Sequence, residues 1–557
     1  MRNNAALTYG IMVLAGILLF VPFLGHVHLF DWDEINFAEC AREMIVSKDY
    51  LRVQIDFQPF WEKPPLFIWM QVLSMKAFGI NEFAARFPNA LAGIATLCTL
   101  YYAGKRVSGE LLGRWWPVIY VATWLPHFYF KSGIIDPVFN LFIFSAFFQN
   151  YLIIHGKRKL LHAALAGLFI GLAVLTKGPV AIAVAGISLV VYMILQRGMG
   201  GYTFRQLLVL AACTLAVTAS WFGVEVASHG WALVKEFIDY QAGLFSQNIA
   251  DHAEPWYYHP IVLLIGCFPA SLFLFQYRRH NPSGIPQTRA FTQWMWILFW
   301  VVLILFSIVK TKIVHYSSLC YYPITYLAAL QVVRLWGEKD KLRKWLPAAQ
   351  MVLGICWAAL VGLLPLVGLN KTKLVPYIKD PFAVANLAAP VSWHWAECLF
   401  GLLYLAGIIW CFLRIRNHFR QSILVLTVLQ VLMIQVTITH FTPKIEGYSQ
   451  RAAITFFEAQ KGKDVYIHPL GYKSYAHLFY AAKQPTLNPD YYGHDTTYTK
   501  GGEMLLTFRQ NEAWLLYGAV DKPAYFICKI NDAPKYQGIP TIEETGAANG
   551  FVFFRRK

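Results

Sequence analysis

Carboxylates gather in the polar segment that follows the first apolar stretch of the chain. Asp31, Asp33 and Glu34 stand close together there, and a further carboxylate, Asp136, comes later, directly before a proline. Charged groups beside a lipid bilayer are costly and are retained mainly where they have a function. A pair of such carboxylates can bind an acceptor hydroxyl and remove its proton. The residue types therefore predict general-base chemistry at a membrane surface.

Each of these acids also has a structural explanation. An aspartate before a proline is an ordinary way to begin a helix, so capping is the alternative for Asp136. For Asp31 a turn or capping role is favoured over catalysis. Glu34 is predicted either as a second acid or as a residue that holds the loop by hydrogen bonds.

Membrane helices must position these residues. Of the 557 residues, 57% are hydrophobic and 14% are charged, whereas soluble domains carry about a quarter charged residues. Apolar segments of suitable length predict an α-helical polytopic membrane protein with about thirteen spans. The first, Leu7–Leu24, is expected to stay uncleaved, and Pro65–Phe78 is predicted as an interfacial or re-entrant helix. The other span centres are Ala92, Ile119, Phe144, Phe169, Gly186, Ala212, Leu264, Phe299, Tyr326, Val361, Leu405 and Leu432.

Lysine and arginine concentrate in alternate loops, which orients the spans because such loops stay in the cytoplasm. With these loops inside, the acidic loop 29–64 and the hydrophilic tail from Thr442 are predicted to face outward. The net charge of +17 is then a consequence of topology, and no nucleic-acid partner is expected. The basic loops are 105–106, 157–159, 197–205, 278–279, 334–344 and 414–420.

Four lysines lie at outward ends of spans, where this orientation predicts few: Lys131, Lys177, Lys310 and Lys312. Their long stems could simply reach the interface without binding anything. Several cations near two acidic clusters favour an anionic ligand on the outer face, and a phosphate would need such partners.

Several short motifs follow one another along the chain: Asp33-Glu34, Ala38–Met44, Trp61–Leu66, Asp136, Leu175–Pro179 and Pro255–Tyr258. Their order resembles the bacterial lipid A aminoarabinose transferases and the related protein O-mannosyltransferases over most of residues 1–440. These are membrane glycosyltransferases of the GT-C fold that use a polyprenyl-phosphate sugar as donor. The resemblance implies an inner-membrane enzyme with its active site facing the periplasm, which transfers the sugar with inversion to lipid A, another glycan or a protein.

The resemblance also implies roles for individual residues. Asp33 would be the acceptor-side base or orienting carboxylate, with Asp136 and Glu34 as further catalytic candidates. The donor phosphate would be bound by Lys63, Lys177, Lys310 and Lys312. Substrate contacts would come from Glu62, Tyr258, His315 and Tyr316.

The tail from Thr442 to Lys557 is predicted as a small extracytoplasmic α/β domain, which leaves residues 1–441 as the transmembrane catalytic domain. Strands are predicted at Asp464–Ile467, Ala524–Lys529 and Phe551–Phe554, and a helix at Lys473–Ala482. The tail is long enough to fold alone. It is expected to cap the outer face and to contribute to acceptor choice.

Other functions stay open from the sequence. A transporter or lipid flippase would also have many spans, and a non-catalytic envelope scaffold could act through the outer tail. No required cofactor is expected, although a divalent metal could bind near His26 and His28 or near His252 and His259. The aromatic run Trp256–Tyr258 could anchor the chain at the interface or stack on a sugar. A monomer is expected.

Overall fold

A computed structural model of the chain describes residues 2–30, 32–60, 62–246, 254–277, 286–337, 341–488, 491 and 511–557. Most of these residues are helical, and a small sheet is formed near the end of the chain. Asp31, His252 and the basic pair 278–279 lie outside the described residues, so their predicted roles have no structural counterpart here.

The helices that are long and apolar enough to cross a membrane number eight among the described residues, or nine if a bent pair is one span. The bent pair joins Tyr258–Gly266 to Ala270–Gln276 at an angle of 105°. Three shorter apolar helices are Ala5–Phe20, Leu66–Phe78 and Val180–Leu195. The prediction of a multi-pass membrane protein is confirmed.

Every predicted span centre falls in a helix, but the predicted number of about thirteen spans is not confirmed. Two of the helices involved, Glu110–Val121 and Tyr321–Trp336, have 12 and 16 residues. At 1.5 Å per residue each is shorter than the bilayer core of about 30 Å. Apolar composition predicts where such helices lie in the sequence. It does not establish that each of them crosses the membrane by itself.

The bounds of the elements follow the chain. The helices are Arg2–Phe20, Asp33–Ser47, Leu66–Phe78, Glu82–Ser108, Glu110–Val121, Trp124–Phe128, Asp136–His155, Lys159–Lys177, Val180–Leu195, Phe204–His229, Ala232–Ser246, Tyr258–Gly266, Ala270–Phe273, Pro286–Ile308, Tyr321–Trp336, Leu346–Leu369, Pro381–Leu387, Cys398–Arg414, Phe419–Val436, Thr442–Glu446, Arg451–Glu458, Ala476–Tyr480, 511–517 and Ala533–Gln537. A π-helical turn, Thr437–Phe441, joins two of them, and short 3₁₀ turns include Tyr129–Lys131 and Val314–Cys320.

The C-terminal sheet has four strands in the spatial order Tyr466–Leu470, Ala524–Lys529, Phe551–Arg556 and Ile542–Ala548. The first two are parallel, and the other neighbours are antiparallel. The three predicted strands are present. The strand Ile542–Ala548 was not predicted, because it is a mostly exposed edge strand that is rich in polar residues and glycine.

The outer loop and the C-terminal region share one hydrophobic core. Met44 and Val53 from the outer loop are buried in the same cluster as Phe457 and Phe479 from the C-terminal region. Burial of apolar side chains stabilises by about 25 cal/mol per Å². The C-terminal region is therefore packed directly onto the loop that carries Asp33 and Glu34, the acidic motif on which the family resemblance rests.

Two membrane helices, Leu346–Leu369 and Cys398–Arg414, approach each other closely at Gly362 and Gly401. A Cβ added at Gly401 would lie 2.2 Å from the Cα of Gly362. Membrane helices associate largely through van der Waals packing, and small residues permit such close contact. The spacing of these two helices therefore depends on both glycines.

We expect Gly401→Ala to destabilise the protein by about 1–3 kcal/mol, because the added methyl group forces the two backbones apart. Gly186→Ala is the matched control, since a Cβ there meets nothing within 4 Å. Thermal unfolding of the detergent-solubilised variants measures the difference. Equal melting temperatures for the two variants would contradict the packing described.

Candidate active site

Asp33 is the first residue of the helix Asp33–Ser47 and lies directly after a strained backbone position. The preceding residue, Trp32, has φ 72° and ψ −118°. A bulky residue with positive φ is a genuine outlier, and such strain is found preferentially at functional sites. The Asp33 side chain is 36% exposed, so this carboxylate can meet a substrate.

Asp136 is brought to a lysine by two antiparallel helices of similar length. The helices Asp136–His155 and Lys159–Lys177 have 20 and 19 residues and a short connection. The first residue of one therefore lies beside the last residue of the other, and Lys177 Nζ is 2.6 Å from Asp136 Oδ1. The other oxygen, Oδ2, has no hydrogen bond among the described residues. The Asp136 side chain thus serves an ion pair, in contrast to the capping alternative.

His315 links the two carboxylates. Its Nε2 atom lies 3.3 Å from Asp33 Oδ2 and 3.9 Å from Asp136 Oδ2. We call Asp33, Asp136, Lys177 and His315 the central cluster. With His315 neutral, the cluster holds two negative charges and one positive charge, so it can accept a proton or a hydrogen bond from a substrate.

Aromatic rings surround the lysine of the central cluster. Lys177 Nζ lies 5.1 Å from the ring centroid of Tyr316 and 5.6 Å from that of Phe139. Both distances permit cation–π attraction. Burial, followed by the negative charges of Asp33 and Asp136, raises the pKa of Tyr316. Its hydroxyl therefore stays protonated.

Glu62 and Lys63 are held by the helix Ala232–Ser246. The Tyr240 hydroxyl donates a hydrogen bond of 3.1 Å to Glu62 Oε2, and Gln241 Nε2 donates one of 3.2 Å to the Glu62 carbonyl. Lys63 Nζ lies 5.7 Å from the centroid of the Tyr240 ring. Burial, together with the charge of Glu62 and other nearby groups, raises the pKa of Tyr240. Tyr240 is thus a protonated donor.

Glu62 and the central cluster belong to one electrostatic neighbourhood. The charges of Glu62 and Asp33 both act on Tyr240, and the charges of Glu62, Asp33 and Asp136 all act on Tyr316. The structure therefore brings most of the predicted catalytic and substrate-binding residues to one place.

Lys310 and Lys312 flank this place in the segment that leads to His315. Lys310 is exposed and Lys312 is buried. Neither forms an ion pair with another residue in the described part of the chain. Tyr258 is half-buried, and its ring centroid is 5.2 Å from that of His259, whose Nδ1 lies 3.1 Å from Ser317 Oγ. Tyr258 is therefore connected to the segment of His315 only through its chain neighbour His259, as far as the described residues show.

Lys131, in contrast, has a structural partner. Its Nζ donates a hydrogen bond of 2.6 Å to the carbonyl of Pro22. This contact ties the end of the first span to the segment before Asp136, and it leaves Lys131 without a direct place in the central cluster.

Glu34 lies apart from the central cluster, although it follows Asp33 in the sequence. Arg86 contacts both of its carboxylate oxygens at 3.0 and 2.8 Å, and the backbone N–H groups of Phe30 and Gly133 donate to it as well. Burial alone would raise the pKa of Glu34, but the charge and hydrogen bonds of Arg86 hold it below its ordinary value. The structure assigns Glu34 to holding the loop.

The predicted metal-binding histidines have other contacts. His28 Nδ1 lies 3.0 Å from Glu446 Oε1. Within the ranges that the structure describes, no group of three or more His, Cys, Asp or Glu side chains is arranged to hold a metal ion.

Tyr240 and Arg86 were missed by the sequence analysis. Tyr240 lies in an amphipathic outer segment where no motif distinguishes it from neighbouring aromatic residues. Arg86 lies near the start of the long apolar helix Glu82–Ser108. Membrane helices rarely contain a charged residue, so the charge of Arg86 was the available signal.

Comparison with known proteins relates this arrangement to a family of enzymes. Residues 62–222 match the profile of the family described as dolichyl-phosphate-mannose-protein mannosyltransferase. Over 426 residues the chain is 28% identical to the undecaprenyl phosphate-alpha-4-amino-4-deoxy-L-arabinose arabinosyl transferase of Edwardsiella ictaluri (strain 93-146), covering 72% of this chain and 76% of that protein. A second such transferase, from Sodalis glossinidius (strain morsitans), is 28% identical with coverages of 72% and 75%.

The fold has a counterpart among solved structures. The crystal structure of ArnT from Cupriavidus metallidurans bound to undecaprenyl phosphate superposes with a TM-score of 0.74 at 17% identity, covering 98% of this chain and 97% of that chain. The chain thus shares the fold of that transferase, and residues 62–222 match a glycosyltransferase family. The predicted resemblance to the lipid A aminoarabinose transferases is thereby confirmed.

The neighbouring acids Asp33 and Glu34 should respond differently to removal of their charge. We expect Glu34→Gln to destabilise the protein by about 3–5 kcal/mol, because it leaves the buried Arg86 guanidinium without its counter-charge. Asp33→Asn is the matched control and should change the unfolding free energy by less than about 0.5 kcal/mol, because Asp33 is partly exposed. Thermal unfolding in detergent separates the two. A Glu34→Gln variant as stable as the wild type would contradict the structural role.

Proposed function

We propose that the chain transfers a sugar from a polyprenyl-phosphate donor to lipid A at the periplasmic face of the bacterial inner membrane, with inversion at the anomeric carbon. The observation that carries this proposal is the central cluster. In it, His315 lies within 4 Å of both Asp33 and Asp136, and Lys177 forms an ion pair with Asp136. The named relatives, which are arabinosyl transferases of undecaprenyl phosphate, support the donor class and a pentose as the sugar.

The donor enters from the membrane in this proposal. An apolar groove of about 480 Å³ lies between the helices Val180–Leu195 and Pro286–Ile308, and Ile308 is among its lining residues. An isoprenoid tail is entirely apolar, so burying it there is favourable. Lys310 and Lys312 follow the end of this groove in the sequence. They are the proposed partners of the phosphate, together with Lys63.

The acceptor is bound on the side of the carboxylates. Its oxygen attacks the anomeric carbon while the bond from that carbon to the donor phosphate oxygen breaks, and the electron pair leaves with polyprenyl phosphate. The transition state resembles an oxocarbenium ion. A hydroxyl acceptor would give its proton to Asp33. A phosphate acceptor is already a nucleophile, and Asp33 would then position it by accepting a hydrogen bond from a protonated phosphate oxygen.

Charged side chains complete the proposed mechanism. Lys63 stabilises the charge that develops on the departing phosphate. Asp136 is already neutralised by Lys177, so we assign it to orienting His315 and Asp33.

Residues 1–441 form the proposed catalytic domain, and residues 442–557 form the proposed periplasmic domain. The enzyme is proposed to act as a monomer.

A protein acceptor is the second candidate. The match of residues 62–222 to the mannosyltransferase family favours it. Assays that offer lipid A and unmodified envelope proteins side by side, with a labelled donor, distinguish the two acceptors by the mass of the labelled product.

We expect Asp33→Asn to reduce transfer by about 10³-fold, within the range of general-base contributions, while donor affinity is unchanged. Asp49→Asn, in the same outer loop, is the control and should act like the wild type, because the Asp49 side chain accepts backbone hydrogen bonds from Leu51 and Arg52, which an asparagine side chain can also accept. Turnover by purified protein in defined lipid measures the effect. Near wild-type turnover of Asp33→Asn would remove this residue from the mechanism.

We expect Lys63→Ala to weaken donor binding by about tenfold or more, because a charge-assisted hydrogen bond to phosphate is lost. Lys76→Ala is the matched control, since Lys76 also lies over a tyrosine ring, that of Tyr50 at 4.1 Å, outside the proposed site. Titration of each variant with polyprenyl phosphate measures affinity. Unchanged donor affinity in Lys63→Ala would contradict its phosphate role.

A further inference from the structure

A cavity of about 490 Å³ lies in the C-terminal region, away from the central cluster. It is formed by the turn after the helix Arg451–Glu458, by the beginning of the first strand of the sheet and by residues 481–486. Its lining includes the polar side chains of Gln460, Gln484 and Thr486 beside apolar residues. Such a lining suits hydroxyl-rich ligands, which form hydrogen bonds with amides and hydroxyls.

Basic residues dominate the charge of this cavity. Four lysines line it, against a single carboxylate, Asp464; the lysines are Lys461, Lys463, Lys483 and Lys522. Lys522 Nζ lies 2.6 Å from Asp464, whose side chain is 86% exposed. Exposed ion pairs of this kind are weak, so Asp464 competes poorly with a bound anion.

Two of these lysines have no counter-charge of their own. Lys461 and Lys463 are exposed and form no ion pair with any residue that the structure describes. Lys463 Nζ donates only to Gln460 Oε1, at 3.3 Å. The cavity is therefore positively charged and has two cations available for an anionic ligand.

A neutral histidine adds to the lining. His477 is buried, and this burial, together with the charges of His468 and Lys483, lowers its pKa well below the ordinary value. His477 thus contributes no charge, and the attraction for an anion rests on the lysines.

The cavity is connected to the helix that carries Asp33 through an ion pair and two hydrogen bonds. Lys483 forms an ion pair with Asp56 of the outer loop. The backbone N–H groups of Asp56 and Phe57 donate to Glu43 at 2.6 and 2.8 Å. Glu43 lies on the helix Asp33–Ser47, about 15 Å from Asp33 along the helix axis at 1.5 Å per residue.

We propose that this cavity binds the acidic sugars of the glycolipid acceptor, those that carry phosphate or carboxylate groups, while the group to be modified lies at Asp33. The inference rests on the proposed function and adds the substrate class that the C-terminal region recognises. Binding energy from a remote part of a substrate can be used to position its reacting part. A neutral glycan would gain little from the lysines, so the cavity selects acceptors by charge.

The test compares Lys461→Ala/Lys463→Ala with the wild type on two acceptors: a glycolipid that bears further acidic sugars attached to lipid A, and lipid A alone. We expect the double variant to raise KM for the full glycolipid by about five- to tenfold, as two lost exposed charge contacts allow. Its kcat should be unchanged, and its KM for lipid A should equal that of the wild type. Lys535→Ala is the control, since Lys535 is exposed in the same region and lies outside the cavity.

The outcomes separate this inference from the proposed function. If the wild type transfers no sugar to either acceptor, the proposed function fails. If it transfers sugar but the double variant has wild-type KM for both acceptors, or an equally raised KM for both, only the cavity inference is overturned. The single variant Lys461→Gln repeats the comparison if the double variant is less stable.

Phospholipid is the other source of a phosphate group at this surface. Mixed micelles of phosphatidylglycerol are added during transfer to the full glycolipid. Our inference expects no competition at the cavity, so any inhibition should be equal in the wild type and the double variant. Inhibition of the wild type alone would show that the cavity binds a phospholipid head group, and it would overturn the inference.

Discussion

The ion pair between Lys177 and Asp136 is the constraint on which the active site depends. An unpaired charge in a poorly solvated position costs several kcal/mol, and loss of one partner leaves the other uncompensated. The pair forms because two antiparallel helices of nearly equal length place the start of one beside the end of the next. Helix packing thus fixes one carboxylate, and His315 and Asp33 are arranged around it.

This arrangement gives two similar carboxylates different chemistry. Asp136 is 3% exposed and already neutralised by Lys177, whereas Asp33 is 36% exposed and forms an ion-pair contact with the imidazole of His315. The accessible acid is the one placed to meet an acceptor. In the proposed mechanism the donor phosphate is bound by Lys63, Lys310 and Lys312, and the acceptor meets Asp33.

The sequence predicted the membrane helices and most strands of the C-terminal sheet, because these depend on local composition and periodicity. It could not assign the partner of Lys177, since that contact depends on the relative ends of two helices. It could not decide between the two roles left open for Glu34, because Arg86, which holds Glu34, is distant in the sequence. Tyr240 was equally invisible, since only tertiary structure brings it to Glu62. Local sequence patterns thus indicated the candidate residues, and long-range contacts distinguish the surroundings of each one.

The central claim is that the cluster around Asp33 and Asp136 transfers a sugar from polyprenyl phosphate to lipid A. A single-turnover assay tests it most directly: purified protein in defined lipid receives a labelled polyprenyl-phosphate aminoarabinose and lipid A, and both products are followed by mass spectrometry. The account predicts that labelled lipid A and free polyprenyl phosphate form together in equal amounts, with the anomeric configuration inverted. Release of free sugar without labelled lipid A, or transfer with retained configuration, would contradict it.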